Sequence, residues 1–159
     1  AYDDARLLKR LSEYPDAKWD VFSKHNKKAL HAYNIIIQPI NSEAFTRSMA
    51  TSSGVLCGAG FETPAEALYL GKKLLVIPMK NQYEQHLNAA ALKAINVPVV
   101  KSLKKKHHDT IKAWLESDEA IKVEYPDITQ QIIDMIVAKH ALKKVTESHT
   151  LFTGDNETR

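Results

Sequence analysis

At 159 residues the chain suits one domain and is long enough to bury a real core. With 44% apolar and 26% charged residues it has an ordinary globular composition, and its longest apolar runs are strand-sized, far too short to cross a bilayer. A net charge of +3 is mild, and no aromatic stacking platform or zinc-finger spacing accompanies the lysines, which argues against a nucleic-acid partner.

Leu7, Leu8, Leu11 and Tyr14 fall on one helical face, and Pro15 stops that helix. Trp19-Asp20-Val21-Phe22 reads as a short strand, and Asn34-Ile35-Ile36-Ile37-Gln38 as a second, apolar enough to be buried on both faces. Ser42 is placed to cap a short helix carrying Phe45 and Met49. Gly54-Val55-Leu56-Cys57 is a third strand, residues 74–77 a fourth, and Val97-Pro98-Val99-Val100 a weak fifth. Helical stretches separate the later strands, which is the rhythm of a parallel sheet. After Val100 the pattern is helical alone. Ile111, Trp114 and Leu115 mark one helix. Ile128, Ile132, Met135 and Ile136 mark another, with Asp127 and Gln130 placed as a capping pair after Pro126. The fold class expected is α/β: a Rossmann-like parallel sheet of about five strands, helices on both faces and extra C-terminal helices. The domain is expected over residues 1–145, with a polar tail over 146–159.

Two stretches carry the chemistry. Cys57-Gly58-Ala59-Gly60-Phe61-Glu62-Thr63-Pro64-Ala65-Glu66 passes from a strand through a glycine loop into a helix. Glycines let a ligand approach the backbone, and a helix start offers unpaired N–H groups to an anion. It is no Walker A loop, because no Gly-Lys-Ser/Thr follows, and the third glycine of a standard dinucleotide site is missing. Thr63-Pro64-Ala65-Glu66 also reads as a capping box, which would tie Glu66 to the Thr63 backbone. The second stretch, Gln82-Tyr83-Glu84-Gln85-His86-Leu87-Asn88-Ala89, opens the next helix with a polar cluster. Asn88 and Ala89 are read as packing the helix.

Together the two stretches resemble the donor-binding motif of glycosyltransferases built from two Rossmann-like domains. Within that group they are most similar to the enzymes that add N-acetylglucosamine to complete lipid II. The resemblance covers about residues 19–100. It implies that Gly58, Ala59, Gly60, Phe61 and Thr63 hold the donor diphosphate, that Glu66 accepts both ribose hydroxyls, and that Gln82, Glu84 and Gln85 bind the donor sugar. It implies an inverting, metal-independent transfer from a nucleotide-sugar, UDP-linked, with no cofactor. It places the general base in an N-terminal acceptor-binding domain upstream of Ala1, so the catalytic residues are not assigned here. Gly58 departs from the pattern, since plant-type relatives carry a phosphate-contacting histidine there. Glu62 beside a diphosphate would be unfavourable unless it points away.

Other residues weigh less. The seven histidines include His107-His108 but form no metal-binding motif. The lone Cys57 excludes an internal disulfide, fits a reducing, cytoplasmic compartment, and is read as inert packing at the end of a buried strand. Lysines at 27–28, 72–73 and 104–106 are read as solvated positions, with attraction to phosphates or a peripheral membrane contact as the functional alternative. Two other readings stay open: a nucleotide-sugar epimerase or hydrolase domain, and a non-catalytic nucleotide-binding module.

Overall fold

The computed structural model describes residues 3–124 and 126–150, with side chains as far as residue 140. The chain divides into two compact units, Ala1–Val123 and Glu124–Arg159. The first is an α/β unit. It opens on helix α1 (Asp4–Leu11), where the Asp3 carboxylate caps the Arg6 N–H. Strand β1 (Trp19–Phe22) pairs parallel with β3 (Ile35–Gln38), and β2 (Leu30–Ala32) pairs antiparallel with the other edge of β3. Helix α2 (Ser42–Thr51) leads to β4 (Gly54–Cys57), then α3 (Glu62–Tyr69), β5 (Lys73–Val76) and α4 (Tyr83–Ala94). Strands β4 and β5 are parallel, with Cys57 opposite Val76. A single 3-10 turn (Lys105–His107) precedes α5 (His108–Glu116).

Strand β5 explains the layering. Successive strand side chains point to opposite faces, so a strand buried on both must be apolar without alternation. Leu75 packs with Leu11, Ile35, Ile37, Ile111 and Trp114, the face covered by α1 and α5. Its neighbours Leu74 and Val76 pack with Ala67, Leu68, Ala89 and Leu92, the face covered by α3 and α4. Helices therefore lie on both faces of this strand, in a Rossmann-like arrangement.

Several expectations change in detail. The strands form two hydrogen-bonded sheets, β1-β3-β2 and β4-β5, and not one ladder. Strand β2 was not anticipated, and its antiparallel pairing turns through Tyr33, whose φ of 52° is unusual for a bulky residue. The weak fifth strand reduces to one parallel bridge, Val76 with Val99. Pro98 has no N–H to extend a ladder, so it contributes only its carbonyl, to the Val76 N–H. Asn41, not Ser42, caps α2, accepting the Ala44 N–H at 2.9 Å.

The second unit carries α6 (Thr129–Thr150). Asp127 accepts the Thr129 N–H, but Gln130 bonds Asp134 one turn on and does not reach back, so the capping pair is only half formed. Ile128, Ile132, Met135 and Ile136 are all exposed. Residues 146–150 of the expected tail continue α6, and residues 151–159 lie outside the described residues.

Candidate functional site

Because β4 and β5 run parallel, the chain leaves both over the same edge of the sheet. The glycine loop follows β4 and opens α3, and residues 77–82 follow β5 and open α4. Two contacts bring these loops together. The Asn88 side-chain amide on α4 donates to the Ala59 carbonyl at 3.2 Å. Gly58 lies against Gln85, so that a Cβ placed on it would stand 3.4 Å from Gln85 Oε1. Gln85 is itself anchored, accepting the Met79 N–H at 2.9 Å and donating to Gln82 Oε1 at 2.7 Å. Gly58, Ala59, Gln82 and Gln85 are thus one cluster.

A Cβ on Gly58 would rest in ordinary van der Waals contact with the Gln85 amide. Gly60 is more open still. A Cβ there meets nothing within 4 Å, and positive φ among the described glycines is confined to Gly71. The fold does not require glycine at 60, whereas a ligand lying on the backbone would.

The capping box does not form. Helix α3 starts at Glu62, with Phe61 as N-cap in right-handed helical geometry (φ −89°, ψ −53°) and no side chain closing the helix end. Thr63 and Pro64 therefore lie inside the first turn. The first-turn N–H groups keep the partial positive charge that favours anions. Glu66 is released from capping. Its carbonyl accepts the Leu70 N–H at the end of α3, but its exposed carboxylate has no hydrogen-bond or ion-pair partner among the described residues. Phe61 and Glu84 are also exposed, Glu84 in the first turn of α4. No hydrogen bond links Glu66 to the second motif, so the contacts gather the glycine loop with Gln82 and Gln85 and leave Glu66 standing free.

A cavity of about 990 Å3 lies between β1 and β4. Gly58 and Thr63 line it together with Trp19, Phe45, Asp20 and Lys73, so the site borders a hollow whose walls are both apolar and charged. Cys57, which also lines it, carries a thiol pushed up to about 12 by burial, and it stays protonated and inert at neutral pH. Among the described residues, no group of three or more His, Cys, Asp or Glu side chains is placed to hold a metal ion.

Asn88 is the residue that reading the sequence undervalued. Ala89 packs in the core as expected, but Asn88 shapes the loop of the other motif. The signal was present. Residues 85, 88, 89 and 92 share one face of α4, and a polar side chain on a core-facing stripe needs a partner.

Comparison with known families agrees with this geometry. A family model described as glycosyl transferase family 1 matches residues 5–117, which include both loops and every strand. No curated protein and no solved structure matches significantly. With the greater part of its length matched, the chain belongs to glycosyl transferase family 1 and carries a glycosyltransferase domain.

Proposed function

We propose that this chain is the donor-binding half of an inverting, metal-independent glycosyltransferase that uses a nucleotide-diphosphate sugar, UDP-linked as in the lipid II enzymes it resembles. The observation that carries the reading is Gly60: a glycine with no structural need, beside a helix start that no side chain caps. A diphosphate seated there accepts main-chain N–H bonds, and those bonds strengthen as the leaving group gains charge. The free Glu66 carboxylate has two oxygens for two neighbouring ribose hydroxyls. Glu84 and Gln82 face the sugar, while Gln85 mainly braces the loop, since its oxygen and one N–H are already engaged.

Such a site stabilises a leaving group but supplies no base for the acceptor hydroxyl. We assign the base to an N-terminal acceptor-binding domain.

Calorimetric titration of UDP into the wild type and Glu66→Gln tests this reading. Glu66 makes no cap, so the substitution leaves stability unchanged while nucleotide affinity falls by about 1–3 kcal/mol. Equal affinity in the two proteins would remove Glu66 from the site.

A further inference from the structure

We propose that the loop spanning residues 101–108 is a docking surface for an anionic lipid bilayer. Between Glu84 and Asp109 the chain has no acidic residue, yet it carries Lys93, Lys101, Lys104, Lys105 and Lys106 with His86, His107 and His108. Lys101, Lys104, Lys105 and Lys106 are exposed, and none forms an ion pair among the described residues. Their positions are fixed. Leu103 is buried in the core with Ile111 and Trp114, and the 3-10 turn is closed by the His107 N–H on the Lys104 carbonyl at 2.9 Å. The charges are gathered in space as well as in sequence. Burial first, and then Lys106 and Lys101, hold the His107 imidazole below its usual range.

The patch suits a surface better than a small ligand. Leu103 and His108 line the cavity between β1 and β4, but none of the four lysines does. Ammonium groups are hydrated point charges that need no fork geometry, which matches spread negative charge. Residues 84–113 contain no Phe, Tyr or Trp, and Tyr14, which stacks on His108, is itself buried, so neither offers an open stacking platform for single-stranded nucleic acid. The location adds a consequence. Val99 pairs parallel with Val76, so the chain leaves Val100 over the edge that carries the glycine loop. Docking through the lysines sets that edge against the bilayer. The proposal does not depend on the donor reading.

Flotation of the full-length protein with phosphatidylcholine vesicles, with and without phosphatidylglycerol, tests it. Binding should require phosphatidylglycerol and be lost at high salt. Replacing Lys104, Lys105 and Lys106 by Gln should weaken partitioning about fivefold per lysine, on the order of a hundredfold in all. Replacing the same three by Arg should retain it. Lys27→Gln with Lys28→Gln, which removes charge elsewhere, should leave it nearly unchanged. Three results would overturn the proposal: no phosphatidylglycerol-dependent binding, equal binding by the Gln variant, or equal loss in the control at Lys27 and Lys28. Lysine-dependent binding of single-stranded RNA without vesicle binding would overturn it too. UDP titration of the same variants reads the donor site separately.

Discussion

Asn88 and Ala59 are joined by a 3.2 Å hydrogen bond across 29 residues of sequence, and this bond couples α4 to the glycine loop. Ala59 is fully buried, so loss of the amide leaves its carbonyl without that donor. Asn88→Ala should cost about 1–3 kcal/mol in urea unfolding. Nucleotide affinity should fall more for a diphosphate than for the nucleoside, because the loop is what loses its brace. Equal losses for both ligands would mean that the bond supports the fold alone.

Gly60→Ala separates fold from function. The position is open and its backbone is not left-handed, so the substitution should leave stability unchanged or raise it by about 0.4–1 kcal/mol. Diphosphate binding should nevertheless drop, since the new methyl group stands where the ligand meets the main chain. Thermal midpoint and UDP titration on one preparation decide the matter. Unaltered UDP binding would place the diphosphate elsewhere.

Gly54 behaves in the opposite way. A Cβ there would lie 3.0 Å from Trp114 Cζ2 and 3.1 Å from the Lys73 carbonyl oxygen. Lys73 is held opposite Gly54 in the β4–β5 ladder, and Trp114 is buried, so neither neighbour yields readily. Gly54→Ala should destabilise by about 1–3 kcal/mol, with no specific effect on nucleotide affinity per folded molecule. Wild-type stability in this variant would show that the contact can relax.

Cys57 predicts an alkaline limit. Its thiol is raised to about 12 by burial. In the unfolded chain it titrates near about 8.5. Between these values the unfolded state binds fewer protons, so stability falls as pH rises, by up to about 1.4 kcal/mol per pH unit from this group. Below the unfolded value the group adds no pH dependence. Cys57→Ala should flatten the decline in unfolding free energy above about pH 8.5. An identical slope in both proteins would assign the decline to other groups.

The main strands were legible because each is a mostly apolar run bounded by Pro, Gly or polar residues, as with Asn34 before Ile35 and Pro39 after Gln38. Strand β2 was not, since three residues give no readable alternation and the turn at Tyr33 uses a backbone conformation its side chain disfavours. Caps were read one or two residues off where neighbours compete. Asn41 and Ser42 are both able caps, and Thr63 lost its place once Phe61 adopted helical geometry. Both candidate loops were visible as motifs. The brace between them was not, because the Asn88 bond depends on which loop the sheet places beside α4.

Strand β5 is a wall common to two cores, with Leu75 on one side and Leu74 and Val76 on the other. Neither core can open without exposing a face of the strand that also closes its neighbour, so both belong to one cooperative unfolding unit. The amide protons of Leu74, Leu75 and Val76 should consequently be among the slowest in the chain to exchange with solvent deuterium, leaving only with global unfolding, while those of the exposed β2 hairpin exchange early.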